Sequence, residues 1–134
     1  MKLTNSEVIQ AQGALARLME MKLPVKVSLD IALISNTVDR QVKAFVAVRD
    51  RLYKDYSIIT GQGDAPGSVK FTCSDKEKEE ENLRSFQVEF NELLEAKTDD
   101  LIFKRIQLPS EVSGEPLQIE PSILVALTEF VEVV

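Results

Sequence analysis

The sequence contains no histidine. Imidazole titrates near neutrality and is the commonest transition-metal ligand. Its absence excludes Ser-His and Cys-His nucleophile pairs, histidine bases and most zinc and iron sites together. Cysteine occurs once, at Cys73, so no intrachain disulfide can close, and synthesis in the cytosol is the expectation. The longest uninterrupted apolar run, Ile123-Leu124-Val125-Ala126-Leu127, falls far short of the roughly 20 residues that cross a bilayer. No basic stretch followed by an apolar one opens the chain, so neither a signal peptide nor a membrane partner is expected. Positive charge is also short. Lys and Arg number 16 against 22 Asp and Glu, a net charge of −6 that argues against a nucleic-acid backbone as partner.

What the chain has in quantity is helical periodicity. From Ser28 to Tyr56, Ile31, Ile34, Val38, Val42, Phe45 and Leu52 recur at three- and four-residue steps, the period of one buried stripe on a long helix. Its first third is apolar nearly all round (Leu29, Ile31, Ala32, Leu33, Ile34), which predicts burial on every side. The remainder turns Arg40, Lys43, Asp50, Arg51 and Lys54 outward. Ahead of it, Thr4-Asn5-Ser6-Glu7 has capping-box spacing, with Leu3 and Val8 placed as a hydrophobic staple. Val8, Ala11, Leu15, Leu18 and Met19 line the first helix to about Lys22, and Leu23-Pro24 breaks it. Val25-Lys26-Val27 reads as a connector, with Ser28 as the cap of the long helix.

Residues 57–73 read as a β-hairpin turning through Gly61, Gly63, Asp64, Pro66 and Gly67. Ser74-Asp75-Lys76-Glu77 repeats the capping-box spacing and opens a third helix to about Ala96, with the stripe Leu83, Phe86, Phe90, Leu93 and Leu94. Folding the two long helices antiparallel predicts Val38 opposite Phe90, Val42 opposite Phe86 and Phe45 opposite Leu83. Arg49 then faces Glu79, either as a rim salt bridge or as a charged pair that guards the register. Leu101 to Leu108 has the composition of a strand and Leu117-Gln118-Ile119 that of a second. Glu120-Pro121-Ser122 starts a short last helix whose Ile123, Leu124, Leu127 and Phe130 cover the apolar start of the long one. The expected fold is therefore α+β, mainly α, in a single domain over 1–134. A base (1–34 and 95–134) carries a helical arm (35–56 and 74–94) with a β-hairpin tip (57–73).

None of the polar groupings reads as an active site, and no cofactor or metal is expected. Gly61-Gln62-Gly63 lacks the third glycine of a dinucleotide fingerprint and the Lys-Ser or Lys-Thr of a P-loop, so a hairpin tip is the better account. Glu77, Glu79, Glu80 and Glu81 lie along a helix instead of converging, as a solvated face does. Asp99-Asp100 reads as a loop signal, and Cys73 has no base or second thiol beside it. The candidate interaction residues are Val46 and Val48, which flank the buried stripe, and Gly61, Gly63 and Asp64 at the tip.

Several stretches together resemble a family of small proteins encoded by tailed bacteriophages and prophages. They are Leu3-Thr4-Asn5, Lys22-Leu23-Pro24-Val25-Lys26, Arg49 with Leu52-Tyr53, Phe90-Asn91-Glu92-Leu93-Leu94, and Ile119-Glu120-Pro121-Ser122-Ile123-Leu124. The resemblance spans most of the chain and its motifs are structural, so it carries no functional residue over. It implies a phage context near the tail genes, and residence in the host bacterium's cytoplasm or in the virion. The expectation is a non-enzymatic protein that associates with itself or with another phage or host protein. The alternative is an acidic inhibitor of a host nucleic-acid-binding protein.

Overall fold

The computed structural model describes residues 2–98, 101 and 103–134. The fold is α+β and mainly helical. Its elements in order are α1 (Asn5–Met19), α2 (Val25–Asp55), β1 (Ile58–Gln62), β2 (Val69–Cys73), α3 (Glu79–Glu95), β3 (Ile106–Leu108), β4 (Glu111–Val112), β5 (Glu115–Pro116), α4 (Pro121–Ala126) and β6 (Val131–Val133). They form two compact units, Met1–Val42 with Lys97–Val134, and Lys43–Ala96. Helix α2 contributes residues to both.

In the first unit the capping box closes as its spacing dictates. The Thr4 hydroxyl accepts from the Glu7 amide, and the Glu7 carboxylate accepts from the Thr4 amide. Leu3 and Val8 are both buried over it. Ala11, Ala14, Leu15 and Leu18 continue the inward face, but Met19, expected on it, is 46% exposed, because the helix ends there with Glu20 as its cap. Gln12 donates to Asp39, and Gln41 to Asn5, tying α1 to α2. Pro24 does more than stop the chain. Its carbonyl accepts from Ser28, so α2 begins at Val25 and not after Ser28. A proline at a helix start forfeits nothing, since the amide it lacks would have no partner there.

Ile31, Ile34 and Val38 join Leu15, Leu18, Ile106, Leu108, Ile123, Leu127, Phe130 and Val131 in one core. Helix α4 packs on α1. Of the expected strand from Leu101 only Ile106–Leu108 forms, pairing in parallel with β6, an element absent from the sequence reading. Within that stretch Ile102, and before it Asp99-Asp100, lie outside the described residues. Leu117-Gln118-Ile119 is not a strand. The small hairpin is β4–β5, turned by Ser113 and Gly114, both at positive φ as a type I′ turn requires.

In the second unit β1 and β2 pair antiparallel from Ile58↔Cys73 to Gln62↔Val69. Two residues past the end of helix α2, Ser57 adopts the left-handed conformation (φ 53) usually left to glycine. The Ser57 carbonyl accepts from the Ser74 amide, and the Ser57 amide donates to Lys54. Because those bonds are backbone ones, Ser57→Gly keeps them while relieving the strained φ. It should raise stability by up to about 1 kcal/mol in urea unfolding.

The aromatic core corrects the expected register. Phe45 lies against Phe90 (ring centroids 6.2 Å) and Tyr53 against Phe86 (5.5 Å), with Phe71 of β2 between them. Phe45 therefore stands by Phe90 and not by Leu83, and Val38 lies in the core of the first unit. The cause is an unequal pair of connectors. Only Tyr56 and Ser57 separate α2 from β1, whereas residues 74–78 separate β2 from α3. The second capping box is not used. Asp75 accepts from the nearby Glu77 amide in a local turn, and α3 starts later, at Glu79.

Candidate interaction surface

The register shift takes Arg49 away from Glu79. Standing between Phe45 and Tyr53, Arg49 is level with the Phe86–Phe90 turn, so Glu79 lies about two turns off. Its guanidinium binds Asp50 (3.2 Å) and sits over the Tyr53 ring (5.4 Å), while Glu79 pairs with Lys76 (3.2 Å). The charged pair expected to guard the register is not formed. Polar staples at the helix–hairpin junction stand in its place. Asn82 donates to the Tyr56 carbonyl (3.2 Å), and the buried Cys73 thiol donates to the same oxygen (3.3 Å). A hydrogen bond to Glu89 holds the Tyr56 hydroxyl above its ordinary pKa, with burial and the nearby Glu89 and Asp55 charges acting in the same direction.

Val46 and Val48 are half-buried. At the hairpin tip Gly61, Gly63 and Asp64 are placed by the strand pairing, and the glycines are not equivalent. A Cβ on Gly61 would meet nothing within 4 Å, whereas one on Gly63 would overlap Ser68 Oγ and come within 3.0 Å of Ser68 Cβ. Ser68 cannot easily turn away, because its hydroxyl donates to Ala65 (2.7 Å) and its carbonyl accepts from Gly63 (3.0 Å). Gly63→Ala should therefore cost about 1–3 kcal/mol, and Gly61→Ala about 0.5 kcal/mol or less in either direction, by thermal unfolding. Gly63 serves the turn, whereas Gly61 lies within β1 opposite Lys70.

Among the described residues no three His, Cys, Asp or Glu side chains gather closely enough to hold a metal ion. A recess of about 740 Å³ lies between the α1–α2 connection (Met21 to Pro24) and the β4–β5 hairpin, and its acids, Glu111 and Glu115, are both exposed. No helix among the described residues is long and apolar enough to cross a membrane.

The surface feature that composition did not anticipate is on α2. Leu29 and Leu33, expected to be buried on all sides, are each 57% exposed, and Val25 is 87% exposed. Steps of four residues put the three on one line along the helix, away from the buried Ile31, Ile34 and Val38. Val25 joins that line because the helix starts a turn earlier than its sequence suggests. The chain matches no protein-family model, no curated protein and no solved structure.

Proposed function

We propose that the chain is a non-enzymatic bacteriophage or prophage component that works by contact with protein, first with a second copy of itself, as a minor tail-associated or assembly factor. The observation that carries this reading is the exposed line Val25, Leu29 and Leu33. Single exposed apolar side chains are ordinary, but three in a row on one helix form the kind of surface that buries itself against a partner. Within residues 43–96 the accompanying reading is a long antiparallel helical hairpin, closed by the β-hairpin. The phage setting rests on the resemblance of the stretches quoted above.

Sedimentation velocity up to about a hundred micromolar tests it, a range set by the modest area that three side chains cover beside the ~800 Å² per partner of a standard interface. Reversible self-association that persists at high salt is the expected result. Monomer throughout would overturn it. Complexes with host proteins that dissolve steeply as salt rises would point to recognition through the carboxylates instead.

A further inference from the structure

We infer that Val25, Leu29 and Leu33 form the seam of an antiparallel, two-fold symmetric dimer of α2. This inference rests on the self-association just proposed and specifies its geometry. The choice of partner comes from the charges beside the line. Successive residues on a helix are about 100° apart, which places Lys26 and Asp30 on one flank of the line and Ser28 and Ala32 on the other. When two such helices meet antiparallel, like flanks face each other. When they meet parallel, opposite flanks do.

The antiparallel arrangement centred on Leu29 sets Val25 against Leu33 of the second copy and Leu29 against itself. It also brings Lys26 beside Asp30 of the second copy, twice by symmetry, against a single Asp30–Asp30 approach across the axis, while Ser28 and Ala32 let the backbones approach on the other side. A parallel pairing would leave both charges against serine and alanine. Lys26 and Asp30 are available for this role, since neither makes an ion pair within its own chain among the described residues. Lys26 is exposed and Asp30 half-buried. Asp30 and Leu33 line one recess of about 350 Å³ with Phe103, Arg40 and Lys104, and the charges of the last two offset the approach of the two Asp30 carboxylates. Two opposite-charge pairs against one like-charge approach make the surface self-complementary in charge, the condition a two-fold interface imposes.

The test uses the full chain and two readouts. In sedimentation equilibrium, Leu29→Asp should abolish the dimer and Lys26→Glu should weaken it about tenfold, by setting two like-charge pairs across the seam. Lys26→Glu combined with Asp30→Lys should restore it. In oxidative cross-linking, Leu29→Cys should form a covalent dimer on its own. Val25→Cys should not, but should cross-link to Leu33→Cys when the two variants are mixed, and Cys73 is too buried to interfere. Circular dichroism confirms that each variant is folded. A dimer indifferent to Leu29→Asp, or a double swap that fails to rescue, overturns the seam and leaves self-association standing. Efficient Val25→Cys self-cross-linking overturns the antiparallel geometry. Wild-type protein that stays monomeric overturns the seam and the broader reading together.

Discussion

Phe86→Ala should cost about 3–5 kcal/mol and leave residues 43–96 largely unfolded at ambient temperature. Phe86 is 1% exposed and its ring meets three others, Tyr53, Phe71 and Phe90, at 5.5, 5.2 and 5.3 Å. It shares with Phe90 the property of touching α2, β2 and α3 aromatics at once, and it is the more buried of the two. Truncation would remove the buried surface and open a cavity among rings carried by three different elements. The edge and offset contacts, each contributing about 0.5–1.5 kcal/mol beyond burial, would go with it. Phe86→Leu keeps most of the volume and should cost roughly half as much or less. The chain supplies its own reporter. With no tryptophan present, intrinsic emission comes from Tyr53 and Tyr56, both in this unit. A urea midpoint for tyrosine fluorescence that barely moves in Phe86→Ala would contradict the packing described for these rings.

The same cluster shows what could be read in advance and what could not. The aromatic and aliphatic stripes on α2 and α3 were legible, because three- and four-residue spacing is a local property. Ile31, Ile34, Val38, Phe45, Leu52 and Phe86 are all buried. The pairing of one stripe with the other was not. Register depends on how many residues each connector uses, and that turned on whether Asp75 would open a helix or close a local turn. Both are ordinary uses of the same side chain. The β3–β6 pair was missed for a related reason. Strands of three residues carry no measurable period, and a parallel partner lies too far away in sequence to leave a turn signal.

The exposed line on α2 was misread for a different cause. Leucine and isoleucine at neighbouring positions look alike in composition, and only the placement of the surrounding elements separates an inner face from an outer one. Composition alone places Leu29 and Leu33 in the core along with Ile31 and Ile34, yet only the latter two are in it. A helix that is apolar all round can be wholly buried, or buried on one side and waiting for a partner on the other. Val25, Leu29 and Leu33 are exposed, and the self-association proposed above assigns them to the second case.

In the first unit, Leu18→Ala should cost about 2–5 kcal/mol, while Met19→Ala, one residue along, should change stability by no more than about 0.5 kcal/mol. Leu18 has no exposed surface, and its removal would leave a void among the residues that join α1 to Ile31, Ile123 and Leu127. Met19 is 46% exposed at the last position of α1, where alanine is at least as good a helix former. The contrast is sharp because the two residues share a helical turn and a similar volume, so a difference between them isolates burial from everything else. Amide exchange should show lost protection across α1, β3 and β6 in Leu18→Ala, since those strands lean on the same core through Ile106, Leu108 and Val131. Equal costs at the two positions would mean that α1 is rotated about its axis relative to the structure described. The face it offers to α4 would then be wrong as well.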